Sequence, residues 1–270
     1  MSISTTSTSA AARTLSLTMR SAQRPVATRT RAINGHQSYI LLIYYITITD
    51  QMRLDLHIHS DFSSDSKMSV GDILKRASEV GLDGIAITDH NSMESFFAAR
   101  QLVDDLGIEF TIVPGAEIST SEGHLITLGM TRVAPPGLSV LETTKHAHDN
   151  GGIAIAPHPF ALFRHGIRNL QGKQLDAIEA FNSRSSFWFS NYLATRTAAK
   201  LNLGVTGGSD AHKLETIGRG YTELLNGTSV GIKEVLHAIA NRRSRAKGKV
   251  RTWSVGSLLN YRTGDRRYSK

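Results

Sequence analysis

The sequence predicts an α/β fold, a closed or nearly closed βα barrel, and three observations carry that reading. Short apolar runs of strand character alternate with helical stretches in six or seven units over about 190 residues, the pattern of a parallel sheet wound through crossover helices. Glycines stand where the helical stripes stop and the chain returns to the sheet. Side chains able to bind metal follow one strand after another, and the ends of strands are where a βα barrel gathers its reacting groups. An open doubly wound sheet is the alternative architecture.

In chain order, residues 1–35 are rich in Ser, Thr, Ala and Arg without apolar periodicity and read as unfolded chain. The apolar run 40–48 is too short to cross a bilayer, and it lies too far from the start, without a small-residue cleavage pattern, to be a signal-peptide core. Met52 is the expected natural start; an organellar transit peptide and an extra N-terminal strand are the alternatives for 1–51. Leu54, Leu56 and Ile58 then alternate with Asp55, His57 and His59, the period of a strand with two unlike faces. Ser69 opens a Ser-x-x-Asp cap, and Val70, Ile73, Leu74, Ala77 and Val80 mark a helical stripe stopped by Gly81. Residues 84–88 read as a strand and 92–106 as a helix ended by Gly107. Further strands are expected at 110–113, 124–129, 153–156, 177–181 and 204–206, and helices near 138–149, 190–201 and 229–243. The folded domain is thus expected at 52–243, followed by a basic tail at 244–270.

Composition narrows the chemistry. With 270 residues and 40% apolar content the chain can build a substantial core. It has no cysteine, which excludes disulfides, thiolate zinc sites, iron–sulfur clusters and a thiol nucleophile, so any metal must be held by His, Asp and Glu. The expected location is the cytoplasm. The net charge of +8 is uneven: residues 1–49 carry five Arg and no acid, 242–270 carry ten Lys and Arg against Asp265 alone, and 50–241 hold 16 basic and 22 acidic residues. The body is acidic and the ends are basic, so the tail, not the body, is the part expected to contact RNA or another phosphate-bearing partner.

The strand ends carry His57-x-His59 with Asp65 beyond it, Thr88-Asp89-His90, then Glu117, His124, Pro157-His158-Pro159 and Gly208-Ser209-Asp210-Ala211-His212. Taken singly, each has an ordinary structural explanation: an incidental His-x-His, a hydrogen-bonded histidine, a solvated glutamate, an Asx turn. Six His, two Asp and one Glu in the same register at one rim do not. That is more than one tetrahedral ion needs, so two or three divalent metals are expected, with Glu117 a natural bridge; nitrogen and oxygen donors together suit Zn, Mn or Fe better than Ca. Closely spaced divalent ions generate a hydroxide nucleophile and hold phosphoryl oxygens for in-line displacement.

This ordered set, spanning about 52–225, resembles the PHP (polymerase and histidinol phosphatase) family of metal-dependent phosphoesterases. The resemblance implies a distorted (β/α)7 barrel with a trinuclear metal site at the strand C-terminal ends. It implies one metal on His57, His59, Glu117 and Asp210, a second on Glu117, His124 and His158, and a third on Asp65, His90 and His212. Asp65, Glu117 and His212 are also the expected catalytic residues. Asp65 stands where some members of the family use His, which is closer to the subgroup acting on nucleotide phosphates and 5′-phosphorylated oligonucleotides. The expected reaction is hydrolysis of such a phosphate ester by metal-bound hydroxide; histidinol phosphate is the alternative substrate.

Substrate contacts are expected from Arg184, in Phe181-Asn182-Ser183-Arg184, and from Arg164 and Arg168, whose guanidinium groups suit bidentate phosphate binding. Lys213 and His165 are weaker candidates for phosphate and leaving group. Phe187, Trp188 and Phe189 form an aromatic run beside Arg184, with base stacking the functional role open to them. His146 and His148, two apart on an expected helix, read as surface residues. A non-catalytic metal-stabilised scaffold or polymerase-associated module, and a metal-dependent amidohydrolase, are the competing classes. The latter is disfavoured because no strand end offers a lysine to carboxylate.

Overall fold

The computed structural model describes residues 51–161, 164–185, 188–225 and 231–249. Their order is β1 (Arg53–Ile58), α1 (Val70–Glu79), β2 (Gly84–Ile87), α2 (Glu94–Leu106), β3 (Thr111–Ile112), β4 (Gly115–Thr120) and β5 (Gly123–Leu128). Then follow α3 (Val140–Asp149), β6 (Ile153–Ala156), β7 (Ala177–Asn182), α4 (Trp188–Leu201), β8 (Gly204–Gly208), a 3-10 turn at Leu214–Thr216, β9 (Gly220–Leu224), α5 (Ile232–Ala240) and β10 (Ser244–Gly248). The expected βαβ rhythm is present. The helices begin where their caps dictate: Ser69 accepts from the Asp72 amide at 3.1 Å, Ser139 and Glu142 form a reciprocal capping box, and Gly107 ends α2 in the left-handed region at φ 57°.

The strands do not close into a single ring. They form two five-stranded sheets, ordered β10-β9-β1-β2-β3 and β4-β5-β6-β7-β8. Each mixes directions: β1–β2–β3 and β6–β7–β8 are parallel, whereas β9, β10 and the β4–β5–β6 run pair antiparallel. The departure from an all-parallel strand order has a local cause. The turn between β4 and β5 spans only Ser121 and Glu122, too short for a crossover helix, so β5 must return antiparallel. Gly123 completes that turn at φ 133°, and a Cβ there would stand 2.7 Å from the His165 carbonyl oxygen, so only glycine fits. Single backbone bridges, Ile58 to Ala211 and His90 to Glu117, join the two sheets, and each includes or adjoins a residue singled out in the sequence.

Three strands lie outside the sequence reading, the first of them β4, which holds Glu117. Strand β9 was not expected, and Ser244–Gly248, the start of the expected tail, pairs along its whole length with β9 as β10. The tail proper therefore begins after Gly248, and 250–270, like 1–50, lies outside the described residues. Apolar side chains from β1, β2, α1 and α2 form one core cluster; β5, β6 and α5 contribute to a second, and α3 and α4 to a third. No helix among the described residues is long and apolar enough to cross a membrane.

Candidate metal centre

Strand β1 sends Asp55 and His57 to one face, and His59 follows at its end. The His57 Nδ1 meets Glu179 Oε1 on β7 at 2.9 Å, which turns its Nε2 inward. That Nε2 is buried without a hydrogen-bond partner, 3.6 Å from Glu117 Oε2 and 3.9 Å from Asp210 Oδ1. The His59 Nε2 lies 3.3 Å from the same Glu117 oxygen and 3.8 Å from the same Asp210 oxygen. Four donor atoms thus surround one point.

Glu117, on β4, is the hub. Its Oε1 receives His124 Nδ1 and His158 Nε2, both at 3.1 Å, and its Oε2 lies 3.4 Å from His90 Nδ1. At the outer edge His212 Nε2 meets Asp65 Oδ2 at 2.8 Å, and His90 Nε2 approaches the same oxygen at 3.5 Å. All nine sequence-selected residues therefore meet in one continuous cluster, graded from Glu117, 2% exposed, to Asp65, 43% exposed. The catalytic candidates divide along this gradient: Glu117 at its centre, Asp65 and His212 paired at its rim.

The donor set fits divalent metal. Ligand atoms about 2.1 Å from a tetrahedral ion stand about 3.4 Å from one another, close to the spacing around Glu117 Oε2. Donors of five overlapping triads lie within 4.8 Å of each other: His57–His59–Glu117, His57–His158–Asp210, His59–Asp210–His212, His59–Asp65–His90 and His90–Glu117–His124. Within the cluster three buried imidazole nitrogens, His57 Nε2, His90 Nδ1 and His158 Nδ1, have no hydrogen-bond partner, an expensive arrangement without a cation to meet them.

Electrostatics follow from this crowding. Burial opposes the His57 imidazolium, but Glu179, Asp210 and Glu117 outweigh it and hold its pKa well above the usual value. Glu117 is held well below the ordinary carboxylate range: burial works against its charge, and His57, His124 and His158 prevail. Asp210 is likewise depressed against burial by His57 and Arg164. Toward solvent, burial and the neighbouring His59 lower the pKa of His212, and burial lowers that of His90, so both favour the neutral form that ligates metal.

The arginines separate. Arg164 bonds Asp210 Oδ2, and Arg184 Nη1 lies 3.2 Å from Asp210 Oδ1 and 3.0 Å from His212 Nε2, so both reach the centre. Arg168 is exposed, and no hydrogen bond or ion pair joins it to the cluster among the described residues, so the structure does not bring it to the centre with the other two. The His165 ring stands 5.3 Å from that of His124. Lys213 is exposed; His148 turns away to Asp176 at 2.7 Å. Phe187 and the Trp188 side chain lie outside the described residues, and Phe189 is half-buried on α4.

Four supporting residues were given no role in the sequence reading. Glu179 orients His57 and accepts from the His158 amide at 2.8 Å and from Asn182 Nδ2 at 2.9 Å. Asn182 also reaches Asp210 Oδ2 at 3.2 Å. Asp89 holds the loop after β1 through the Ser60 amide at 2.7 Å. Buried Asp55 accepts the Ser209 and Gly218 amides, each at 2.9 Å, fixing the loop that carries Asp210; burial nevertheless pushes its pKa up to about 6. The available signal for Glu179 was a lone charge within the apolar run of β7. Backbone strain collects here too: Asp210 at φ 51° and His158 at φ 32° are non-glycine residues in the left-handed region.

Against known proteins, the PHP domain family matches residues 55–185 and the PHP-associated family matches 188–244. A protein of unassigned function from Methanocaldococcus jannaschii is 34% identical over 160 residues, 55% of this chain and 92% of that one. A 5′-3′ exoribonuclease from Salmonella typhimurium is 33% identical over 85 residues, 30% of this chain and 29% of its own. Among solved structures, a two-domain protein from Bacteroides vulgatus, described as containing a predicted PHP-like metal-dependent phosphoesterase, superposes with a TM-score of 0.61. The identity is 21%, over 74% of this chain and 65% of that one, so the likeness concerns the fold.

Proposed function

The chain belongs to the PHP domain family, and from that premise we propose that it is a metal-dependent phosphoesterase acting on a nucleotide phosphate or a 5′-phosphorylated oligonucleotide. The observation that carries the reading is the nine-residue His/Asp/Glu cluster with two guanidinium groups at its edge. His57, His59, Glu117 and Asp210 would hold one metal, Glu117, His124 and His158 a second, and Asp65, His90 and His212 a third. When bound, the metals neutralise phosphoryl oxygens and lower the pKa of water into the range of a nucleophile.

The rest is the work of the chain. Arg164 and Arg184, already drawn to Asp210, are placed to clamp the phosphoryl oxygens. Glu179 and Asp55 fix His57 and the Asp210 loop so that the donors converge without rearrangement. Water attacks phosphorus, the P–O bond to the leaving oxygen breaks, and that oxygen departs as the alcohol past the exposed Asp65–His212 edge, taking up a proton. The preference for a nucleotide rests on an oxygen donor at Asp65 and on the exoribonuclease relative, whose match spans under a third of that protein.

The test is phosphate release by the Mn-loaded chain from AMP, a nucleoside 3′,5′-bisphosphate, histidinol phosphate and a short 5′-phosphorylated RNA. Preference for the nucleotides or RNA, lost in His59→Ala and Asp210→Ala with the fold retained, is the expected result. Unchanged rates in those variants overturn the site assignment. Silence on every substrate with metal bound favours the scaffold reading.

A further inference from the structure

A second polar concavity lies away from the metal cluster. A groove of about 850 Å³ opens between the end of α1, the 215–219 segment and strands β9 and β10. Five cations line it: Arg53, Arg76, Arg219, Lys247 and Lys249. Glu215 and Glu223 are the acidic residues of its lining; Glu223 lies 3.8 Å from Lys247, and Glu79, beyond the lining, pairs with Arg76 at 3.4 Å. Such a concentration stands out on a chain whose 50–241 stretch holds 22 acidic residues against 16 basic ones.

The groove is built rather than fortuitous. Arg53 lies across the Tyr221 ring at 4.5 Å and donates to the Gly81 carbonyl at 3.3 Å, which fixes its guanidinium at the groove wall. Arg53 and Arg76 each keep a buried Nε–H that has no acceptor. Like charges gathered around one concavity repel, and a polyanion bound there offsets that repulsion. The groove is also tied to the metal centre. Its lining residue Gly218 donates to Asp55, whose other oxygen takes the amide of Ser209, next to Asp210. Along β1, Arg53 precedes His57 by four residues, roughly 13 Å of strand. Five cations around one groove suit several phosphates of one chain better than the single phosphate of a mononucleotide.

We propose that this groove binds the sugar–phosphate backbone of a single-stranded nucleic acid, as an anchoring surface separate from the metal centre. The inference deepens the oligonucleotide reading above and rests on it for its biological use, although binding itself is measured without catalysis. The four cations that are not stacked on Tyr221 supply the contrast: Arg76→Gln, Arg219→Gln, Lys247→Gln and Lys249→Gln combined in the full chain.

Binding of a fluorescent single-stranded RNA lacking a 5′ phosphate is followed by anisotropy in chelator, across a salt series. The expected result is affinity weakened at least about tenfold, with the slope of log K against log salt flatter by about 3, since each phosphate contact contributes about 0.7 on a single strand. Hydrolysis of AMP by the metal-loaded variant stays at the parent rate. If the combined variant does not fold, the single changes Arg219→Gln and Lys247→Gln each flatten the slope by about 0.7. Unchanged affinity and slope in a folded variant overturn the proposal, and so does a polyglutamate of equal charge that competes as well as RNA. A chain that binds RNA through these cations but hydrolyses no phosphate ester refutes the proposed function and leaves the groove standing. One that hydrolyses AMP and shows no cation-dependent RNA binding does the reverse.

Discussion

Glu179→Gln isolates how the fold orients a ligand before any metal arrives. The carboxylate has two unlike sides: Oε2 takes the His158 amide at 2.8 Å and Asn182 Nδ2 at 2.9 Å, and Oε1 faces His57 Nδ1 at 2.9 Å. A glutamine must turn its carbonyl oxygen toward the two donors, which leaves its NH₂ pointing at His57. His57 then has to accept at Nδ1 and carry its proton on Nε2, the nitrogen directed at Glu117 and Asp210. A protonated Nε2 cannot ligate. The lost interaction is large, about 6 kcal/mol for unit charges at this separation with an effective dielectric of about 20, but His57 relieves most of it by releasing its proton. What remains is the cost of forcing the wrong tautomer, and loss of such an orienting partner weakens metal binding about 10–100-fold, or about 1.4–2.8 kcal/mol. Calorimetric Mn titration measures the affinity, and nitrogen-detected NMR of the imidazoles measures the tautomer. Parent affinity and stoichiometry, with His57 still protonated on Nδ1, would refute the reasoning.

Three further outcomes follow from the same geometry. A methyl group on Gly208 would lie 2.5 Å from both Glu179 Oε1 and the His57 Cβ, so Gly208→Ala is expected to lower stability by about 1–3 kcal/mol and weaken metal binding, read from urea unfolding and Mn titration. Burial raises Asp55 from the ordinary aspartate value of 3.8 to about 6, so its contribution to stability is fully present below about pH 4 and is lost as pH rises through 6. The unfolding free energy of the chelated protein relative to Asp55→Asn should therefore shift in the variant's favour by on the order of 3 kcal/mol between pH 4 and 7, and a flat difference would contradict the assignment. Arg164→Ala and Arg184→Ala should raise KM for a nucleotide substrate about tenfold or more, whereas Arg168→Ala should leave it unchanged, by steady-state phosphate release.

Much of the centre was legible because metal chemistry restricts residue type and strand geometry restricts position. In His57-x-His59 and Asp210-x-His212 the spacing alone pairs side chains able to bind metal, and seven strands of the observed fold fall within a residue or two of their expected bounds. Glu117 was found as a residue type but not as an element: it sits inside β4, where Glu117 and Ser119 alternate with Ala116 and Ile118, and the loop-like Pro114-Gly115 before it hides that period. Strands β9 and β10 stayed hidden for a related reason. Their Tyr221, Glu223, Arg245 and Lys247 side chains face solvent in part, and a short edge pair carries little apolar pattern.

The sequence by itself determined the alternating α/β order, the nine residues of the cluster and the absence of any thiol chemistry, because these depend on residue type and short-range period. Only the tertiary structure decided that the strands divide into two sheets, that Glu179, Asn182, Asp89 and Asp55 stand behind the cluster, and that Arg164 and Arg184 reach Asp210 while Arg168 does not. It also brought Arg53, Arg219 and Lys247, far apart along the chain, around one groove. Those facts depend on contacts between distant segments, which two-residue turns and strand pairing set and no local pattern records.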